Sequence, residues 1–255
     1  ADRTCVSLWQ EVQENKIYLS SRFSVNGIDW SEEKRFAGPI EFSGDLPQVY
    51  SAARNSSSIA VASFSENGNI CTYTSTDSFR TFSANEIPGS SEFIAPRIFA
   101  NSSGGFTLFV SHPHDDSFSL FYSTSKDGEK WNPFAEFTQA SNVKNTFNPI
   151  APFLIPVKGG DLLVYQIQYT ESNLISFQLY SSFTKDNGKT WTKPVLFSSK
   201  DSTEDGKFFN YNNQNPFAVR TAANEIFIAW ERSPFFSSNA DIWFAKIAEN
   251  GAIKG

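Results

Sequence analysis

A polar turn of one composition recurs four times along the chain. Each copy begins with Ser or Thr, has Asp or Asn two residues later, and closes with Trp or Phe. The copies are residues 24–30, 75–82, 125–131 and 184–191. Their closing residues, Trp30, Phe82, Trp131 and Trp191, are separated by 52, 49 and 60 residues. A self-similar unit of about 50 residues is typical of repeat architectures, so this spacing constrains the fold more than any other feature.

The residue types of this turn explain how it reverses the chain. An Asp or Asn side chain caps the backbone that follows it, and a Gly takes the corner that needs a positive φ. The closing aromatic ring folds back and fixes the turn to the core. Strand-like runs such as residues 17–20 and 179–182 precede the turns, so we expect each turn to join two antiparallel strands. The residues given this structural role are Asn26, Gly27, Trp30, Asp77, Phe82, Asp127, Gly128, Trp131, Asp186, Gly188 and Trp191.

The composition predicts an all-β domain with a sizeable core. The chain has 255 residues, of which 40% are hydrophobic and 26 are Phe. No long stretch shows the 3.6-residue apolar period of a helix. A single domain over residues 1–255 fits this length, because propellers and barrels exceed the usual domain size.

Charge and apolar content exclude two classes of partner. The net charge is −6, and the basic residues are scattered singly. A nucleic-acid partner is not expected, because no stripe of Lys and Arg would offset a phosphate backbone. No apolar run is long enough to span a bilayer, so membrane insertion is not expected either.

The absence of Met and the two Cys residues give information on how the chain was produced and where the protein is located. The chain contains no Met, which predicts a processed or excised segment and is compatible with a secretory signal removed upstream. We expect an extracellular or cell-surface location. Cys5 and Cys71 either pair between neighbouring sheets or remain two separate thiols in strands.

Each unit accommodates four strands. The first strand starts near a Pro, at residues 47–50, 96–99, 152–155 and 216–219, and a strongly apolar second strand follows. Four-stranded sheets at this period predict the blades of a β-propeller. The blades are approximately residues 1–37, 38–86, 87–138, 139–199 and 200–255. The first lacks its first strand and the last lacks its final one, which leaves two interpretations: a five-bladed ring closed by its two ends, or part of a larger propeller.

The pattern Ser/Thr-x-Asp-x-Gly-x-Thr-Trp resembles the Asp box, or BNR repeat, of sialidases and related propellers. Residues 184–191 match it in full, residues 75–82 have Phe79 at the Gly position, and the other two copies are one residue shorter. The resemblance covers nearly the whole chain and implies a sialidase-like β-propeller. In that family the Asp boxes are structural and lie on the face away from the active site. Binding residues are therefore expected in the loops of the opposite face.

One candidate cluster on that face contains the only two His of the chain. His112 and His114 precede Asp115 and Asp116, which suggests a metal site, an acid/base pair or a polar surface loop. Two His and two Asp supply too few soft ligands for a closed zinc site. We therefore expect no metal and no cofactor, and keep His112 and His114 as ligand-binding candidates.

Arg97 follows Pro96 at the start of a first strand. It is similar to the Arg that clamps a substrate carboxylate in sialidases, a task that suits a planar fork. The resemblance also implies a Tyr nucleophile beside a Glu, for which the candidates are Tyr169 with Glu171, or Tyr211. No complete catalytic set can be assigned. The same position in other blades is variable, with Gln48, Phe153 and Phe217.

The preferred carbohydrate contacts lie near the end of the chain. Residues 208–215 are rich in amides and aromatic rings, which donate and accept hydrogen bonds and stack on sugar faces, so Tyr211 and Asn213 are candidates. Glu231 and Arg232 add a carboxylate and a cation. The structural alternatives are a turn-rich connection and a solvated surface ion pair.

These observations predict a secreted or cell-surface propeller that binds a glycan or a protein partner and lacks a complete catalytic set. The alternative is a sialidase-like glycoside hydrolase with its site opposite the Asp boxes. Its catalytic candidates are Arg97, Asp115, Asp116, Glu171 and Glu231. A third alternative is a structural assembly domain of a larger envelope protein.

Overall fold

A computed structural model of the chain describes residues 4–41, 50–64, 68–114, 117–138, 146–171, 174–196, 211–221, 223, 225–234, 239–248 and 253–254. These residues form nineteen strands in five antiparallel sheets and contain no α-helix. The predicted all-β class is confirmed. Within these ranges, no helix is long and apolar enough to cross a membrane.

In every sheet the strands lie side by side in chain order. The first sheet consists of β1 (Cys5–Gln13), β2 (Lys16–Ser24) and β3 (Lys34–Glu41). The second consists of β4 (Tyr50–Arg54), β5 (Ile59–Phe64), β6 (Ile70–Ser75) and β7 (Ser83–Glu86). The third consists of β8 (Ile94–Ala100), β9 (Phe106–His114), β10 (Ser117–Ser125) and β11 (Ala135–Glu136). The fourth consists of β12 (Thr146–Val157), β13 (Gly160–Glu171), β14 (Leu174–Thr184) and β15 (Val195–Leu196). The fifth consists of β16 (Tyr211–Arg220), β17 (Ile226–Pro234), β18 (Asp241–Ile247) and β19 (Ile253–Lys254).

The first and last sheets test the predicted strand count. The first sheet has three strands, as the sequence predicts. The expectation that the last sheet lacks its fourth strand is wrong, because Ile253 of β19 pairs with Ile247 of β18.

Several hairpins leave only short turns at their ends. β1 and β2 pair up to Gln13 and Lys16, leaving Glu14 and Asn15 as a two-residue turn. Both turn residues have positive φ, 50° and 63°, as a tight hairpin turn requires. His112 and His114 likewise lie in β9 rather than in a loop. Backbone N–H and C=O groups form the hydrogen bonds between paired strands, so a strand can continue through residues with polar side chains.

The chain divides into two compact units. The first comprises Ala1–Ala100, Gly104–His112 and Ser123–Phe134, and the second comprises Asn101–Ser103, Pro113–Tyr122 and Ala135–Gly255. The single domain and the blade boundaries remain predictions.

Each unit has its own hydrophobic core between packed sheets. In the first unit, alternate residues of the first and second sheets meet, among them Ile17, Leu19, Phe36, Val61 and Tyr73. In the second unit the fourth and fifth sheets meet in the same way, through Ile155, Leu162, Val164, Leu179, Ile226, Ile228, Trp230 and Ile247. Both cores follow from the two-residue alternation of strands, which puts every second side chain on one face.

The two cysteines do not form a disulfide. The Cys5 thiol is exposed and the Cys71 thiol is buried. Burial raises the pKa of the Cys71 thiol, because a low-dielectric environment disfavours the thiolate.

The recurrent turns, called aspartate turns below, share one hydrogen-bond pattern. In residues 184–191, the Thr184 hydroxyl donates to Asp186 Oδ1 at 2.9 Å and accepts from the Gly188 N–H at 2.9 Å. Asp186 in turn accepts from the N–H of Thr190 at 2.8 Å and from its hydroxyl at 2.6 Å. The copy at residues 75–82 repeats these bonds through Ser75, Asp77 and Thr81.

The two shorter copies tighten this pattern by one residue. Asp127 accepts from the N–H groups of Glu129 and Lys130, both at 2.9 Å. Asn26 does the same with its amide oxygen, accepting from the N–H groups of Ile28 and Asp29 at 2.9 Å. A neutral amide oxygen therefore accepts the same two backbone hydrogen bonds as a carboxylate does.

The corner residue of the turn contacts the preceding sheet. In the second unit the Tyr122 hydroxyl donates to the carbonyl of Gly188. In the first unit the Thr72 hydroxyl donates to the carbonyl of Gly128 at 2.9 Å. Phe79 replaces Gly in the turn at 75–82, and its buried ring packs against Phe36 with centroids 5.1 Å apart. The corner therefore joins successive sheets by a hydrogen bond or by a ring.

Asp186→Asn should make the stability of the protein less sensitive to acid. The side-chain and backbone hydrogen bonds from Thr190 lower the pKa of Asp186. A lowered folded-state pKa gives stability that is present above the unfolded pKa, about 3.9, and is lost as pH falls through the folded pKa. Urea unfolding at pH 7 and near pH 3 should show wild type losing more stability than the variant. An equal loss in both proteins would mean that the Thr190 bonds do not favour the ionised carboxylate.

Candidate functional site

Three first strands carry a bulge at a residue that precedes Pro. These residues are Ala95, Ala151 and Asn215, with φ of 52°, 47° and 53°. The ladder register shifts at the same places. Pro has no N–H to donate, and non-glycine residues rarely adopt positive φ, so regular pairing is interrupted there. Bulges re-aim side chains and are frequent beside binding sites, which makes the surrounding residues candidates.

Arg97 lies just after the first of these bulges, in the first unit. Its side chain is exposed, and its backbone pairs with Phe109. Partial desolvation by surrounding protein lowers the pKa of its guanidinium, although arginine stays charged at neutral pH. The residue exposes much of its surface although its charged group is partly desolvated.

The histidine candidates lie on β9. The Nε2 atom of His112 is 3.5 Å from Glu92 Oε2, and its ring meets Phe93 edge-on at 5.6 Å. Asp115 and Asp116 lie outside the described residues. In the part of the chain that the structure describes, no three His, Cys, Asp or Glu side chains form a group that could hold a metal.

A buried amide network lies between the fourth and fifth sheets. The Trp230 indole N–H donates to Asn213 Oδ1 at 2.9 Å, and the Asn213 amide donates to Gln178 Oε1 at 3.0 Å. Gln178 donates to the carbonyl of Tyr211 at 2.7 Å. Asn213 is 2% exposed and Gln178 is fully buried. The network thus fixes the start of β16 against β14, since each buried polar group finds its partner within it.

Arg232 lies on the same side of the fifth sheet, between two aromatic rings. Its Cζ atom is 3.9 Å from the Tyr211 ring centroid and 4.0 Å from that of Trp243. The residue is only 6% exposed. Cation–π contacts on both faces compensate part of the cost of burying the charge and hold the guanidinium flat.

Glu231 points to the opposite side of the fifth sheet. Its Oε2 accepts from the Asn215 side-chain amide at 3.0 Å, and the Asn215 N–H donates to Gln166 Oε1 at 3.2 Å. Glu231 pairs with Ile242 and is two residues from Ala229, which pairs with Phe217. Paired residues share a face of the sheet, so the carboxylate lies beside two apolar side chains.

Four predicted contact residues lie at this end of the fifth sheet, but on two faces: Tyr211, Asn213 and Arg232 on the inner one and Glu231 on the opposite one. Glu231 and Asn215, which are hydrogen-bonded to each other, are called the amide cluster below. Arg97 and His112 lie in the other compact unit, and His114 lies at the end of β9. Tyr169 and Glu171 lie in β13, where their backbones pair with Ser176 and Leu174, and their side chains are outside the described residues.

Sequence reasoning missed Gln166, Gln178, Asn215 and Trp243. Gln166 and Gln178 interrupt apolar strands, and such amides in a core position need hydrogen-bond partners. This interruption was the sequence signal that could have identified both glutamines. No sequence signal pointed to the contact of Arg232 with the Trp243 ring, because that contact joins different strands.

Chemically, the amide cluster offers an oriented carboxylate and an amide on the face of the sheet that also carries Phe217. Carboxylates accept hydrogen bonds from hydroxyls, amides both donate and accept, and rings pack against apolar surfaces. This combination suits a polar ligand with many hydroxyls.

No family model matches the chain, and no curated protein matches its sequence. Solved structures do match its fold. A thermostable family-43 glycoside hydrolase matches with a TM-score of 0.52 and 13% identity, covering 99% of this chain and 93% of the other. An endo-arabinase from Bacteroides thetaiotaomicron matches with a TM-score of 0.53 and 12% identity, covering 95% and 89%.

A mutant of the NanB sialidase from Streptococcus pneumoniae matches with a TM-score of 0.54 and 17% identity. It covers 92% of this chain, which spans 36% of the sialidase. At these identities the likeness shows a shared fold. The chain therefore has the fold of these glycoside hydrolases.

Proposed function

We propose that this chain is a secreted or cell-surface β-propeller module of the Asp-box type that binds glycans through the amide cluster. The observation that carries the proposal is the Glu231 carboxylate, which Asn215 orients beside the exposed ring of Phe217. A carboxylate that accepts sugar hydroxyls next to a ring that covers an apolar sugar face is a common basis of carbohydrate recognition.

Two further observations support the propeller and the glycan. Four aspartate turns, each opened by a hydroxyl bond to Asp or Asn, follow the next-to-last strands of four successive sheets, as expected for blades. The structural relatives include proteins that act on carbohydrates, namely an endo-arabinase and a sialidase. Fold likeness alone does not assign a reaction, so the site carries the argument.

A glycoside hydrolase is the second candidate, because the structural relatives named above are hydrolases. Most such enzymes use two carboxyl groups about 5–10 Å apart across the scissile bond. Among the described residues, Glu231 is the one carboxylate on its face of the fifth sheet at the end where β16 begins. Binding without hydrolysis is therefore the primary proposal.

The test is binding of the purified chain to an array of sialylated and neutral glycans, read before and after prolonged incubation. Glu231→Gln keeps the shape of the side chain and an acceptor for Asn215 but removes the charge. We expect it to weaken glycan binding at least about tenfold, since a hydrogen bond to a charged group contributes more than a neutral one.

Glu225→Gln is the matched control, because Glu225 lies at the other end of the same sheet, where it contacts Lys246. It should bind as wild type does. Equal binding by Glu231→Gln and wild type would reject the amide cluster as the site. Release of sugar from the array during incubation would establish the hydrolase instead.

A further inference from the structure

Asn215 occupies the bulge of β16, where the strand leaves its regular pairing. The register with β17 passes from Gln214 directly to Phe217, so Asn215 stands outside the ladder. Its φ is 53°, in a region that residues other than glycine rarely adopt. Such a conformation persists only where surrounding contacts fix it. The contacts of Asn215 therefore decide where its side chain points.

Side chains of two different sheets contact Asn215. Its backbone N–H donates to Gln166 Oε1 at 3.2 Å, and its side-chain amide donates to Glu231 Oε2 at 3.0 Å. Gln166 belongs to β13 of the fourth sheet, whereas Glu231 belongs to β17 of the fifth sheet. The first bond fixes the backbone of the bulge, and the second aims the amide at the carboxylate. Asn215 thus links the fourth sheet to the carboxylate of the amide cluster.

Gln166 reaches the fifth sheet from a buried position in the fourth. It lies on the same face of β13 as Leu162 and Val164, which pack against the fifth sheet. The residue is only 4% exposed. A buried amide among apolar residues costs free energy unless it is hydrogen-bonded. Its oxygen bonds to the bulge, which an apolar side chain of the same size could not do.

The same register position is polar in the three sheets whose first strands carry a bulge. The residue that pairs with the last position before the bulge is Ser111 in the third sheet, Gln166 in the fourth and Glu231 in the fifth. Asn215 bonds to two of these three residues, one from each of two sheets. This recurrence indicates that the polar side chains at this position act on the bulges.

We infer that Gln166 is a positioning residue of the proposed glycan site. Its bond to the Asn215 N–H keeps the bulge in the conformation from which the Asn215 amide orients the Glu231 carboxylate. Without this acceptor, the positive φ of Asn215 loses a contact that stabilises it. The carboxylate then loses the donor that orients it toward a sugar hydroxyl. The inference rests on the proposed function, because it names the residue that sets the geometry of that site.

Gln166→Met tests this role, because methionine is similar in size and flexibility but has no oxygen to accept the N–H. We expect the apparent Kd on the array of sialylated and neutral glycans to rise about fivefold, as for the loss of one neutral hydrogen bond. Asn215→Gly shows whether the effect passes through Asn215, because glycine keeps the positive φ but lacks the amide. In that background, Gln166→Met should change the Kd by less than about twofold.

Ser90→Ala is the matched control in the other compact unit. The buried Ser90 hydroxyl accepts from the Ile70 N–H at 2.7 Å, so this change removes the same kind of bond. It should lower the free energy of unfolding in urea yet leave glycan binding as in wild type. Wild-type affinity in Gln166→Met, or equal weakening by Ser90→Ala, would overturn the inference. So would a full fivefold effect in the Asn215→Gly background.

NMR of the ¹⁵N-labelled chain separates this inference from the proposed function. In Gln166→Met, the Asn215 side-chain amide signals should shift toward those of an Asn in the unfolded chain, because their bond to Glu231 loosens. This shift in a protein whose wild type binds no glycan would reject the proposed function and leave the positioning of Glu231 by Gln166 standing. Unchanged Asn215 amide signals would overturn the positioning role whether or not glycans bind.

Discussion

Replacing Asn213 by alanine is expected to lower the free energy of unfolding by about 3 kcal/mol. Asn213 accepts from the Trp230 indole and donates to Gln178 Oε1. Without it, the Trp230 indole and Gln178 Oε1 each lose this buried hydrogen bond but keep the cost of desolvation. Urea unfolding followed by Trp fluorescence measures the loss, and Trp230 itself reports on the site.

Asn132→Ala provides the control for the substitution. The Asn132 side chain is exposed and donates to Thr124 Oγ1 at 2.8 Å, so water can replace the bond that it loses. We expect a change within about 0.5 kcal/mol. If the two variants were equally stable, the buried network would not hold β16 against the fourth sheet.

The strands were predictable because their periodicity and turn chemistry are local. Residues 226–230 form part of β17 and residues 162–165 part of β13, as their apolar runs predict. The aspartate turns were readable for the same reason, since Asp186 bonds only to residues within four positions of itself along the chain. A pattern in which sequence neighbours are also spatial neighbours needs no knowledge of tertiary structure.

Hairpin length and strand-to-strand contacts were not predictable in this way. Residues 211–215 read as an amide-rich loop, but the backbone of residues 211–214 pairs with β17, and Asn212 Oδ1 accepts from the N–H of Phe177 in β14. The stacking of Arg232 on Trp243 joins β17 to β18, and it depends on the register in which these two strands pair. Such contacts depend on which strands become neighbours, and one sequence does not state that.

The candidate site was predictable in its membership but not in its geometry. Glu231 and Arg232 are adjacent in sequence and suggest a surface ion pair. In a strand, adjacent side chains point to opposite faces. The Glu231 carboxylate therefore lies on the face of Phe217 and Ile242, and the Arg232 guanidinium lies on the face of Asn213. The two residues therefore serve different surroundings, which a reading of the charges alone could not separate.

Gly160→Ala should destabilise the protein by about 3 kcal/mol, near the upper end of what overpacking usually costs. Gly160 begins β13, where a Cβ would lie 2.0 Å from the carbonyl oxygen of Thr184. The obstacle is backbone at the start of an aspartate turn, so no side-chain rotation relieves it. The shift must propagate into the ladder between Asp161 and Thr184.

A substitution at the adjacent Gly159 separates the destabilising effect of this clash from the effect of backbone conformation. Its φ is +82° and no atom lies within 4 Å of an added Cβ, so Gly159→Ala pays only the left-handed strain, about 1 kcal/mol. From φ alone, Gly159 would be the more sensitive position; from the contacts, Gly160 is. Thermal unfolding of both variants decides between the two arguments. A larger loss for Gly159→Ala would show that the β13 ladder yields more readily than the turn, and that close packing at the start of the aspartate turn contributes little to stability.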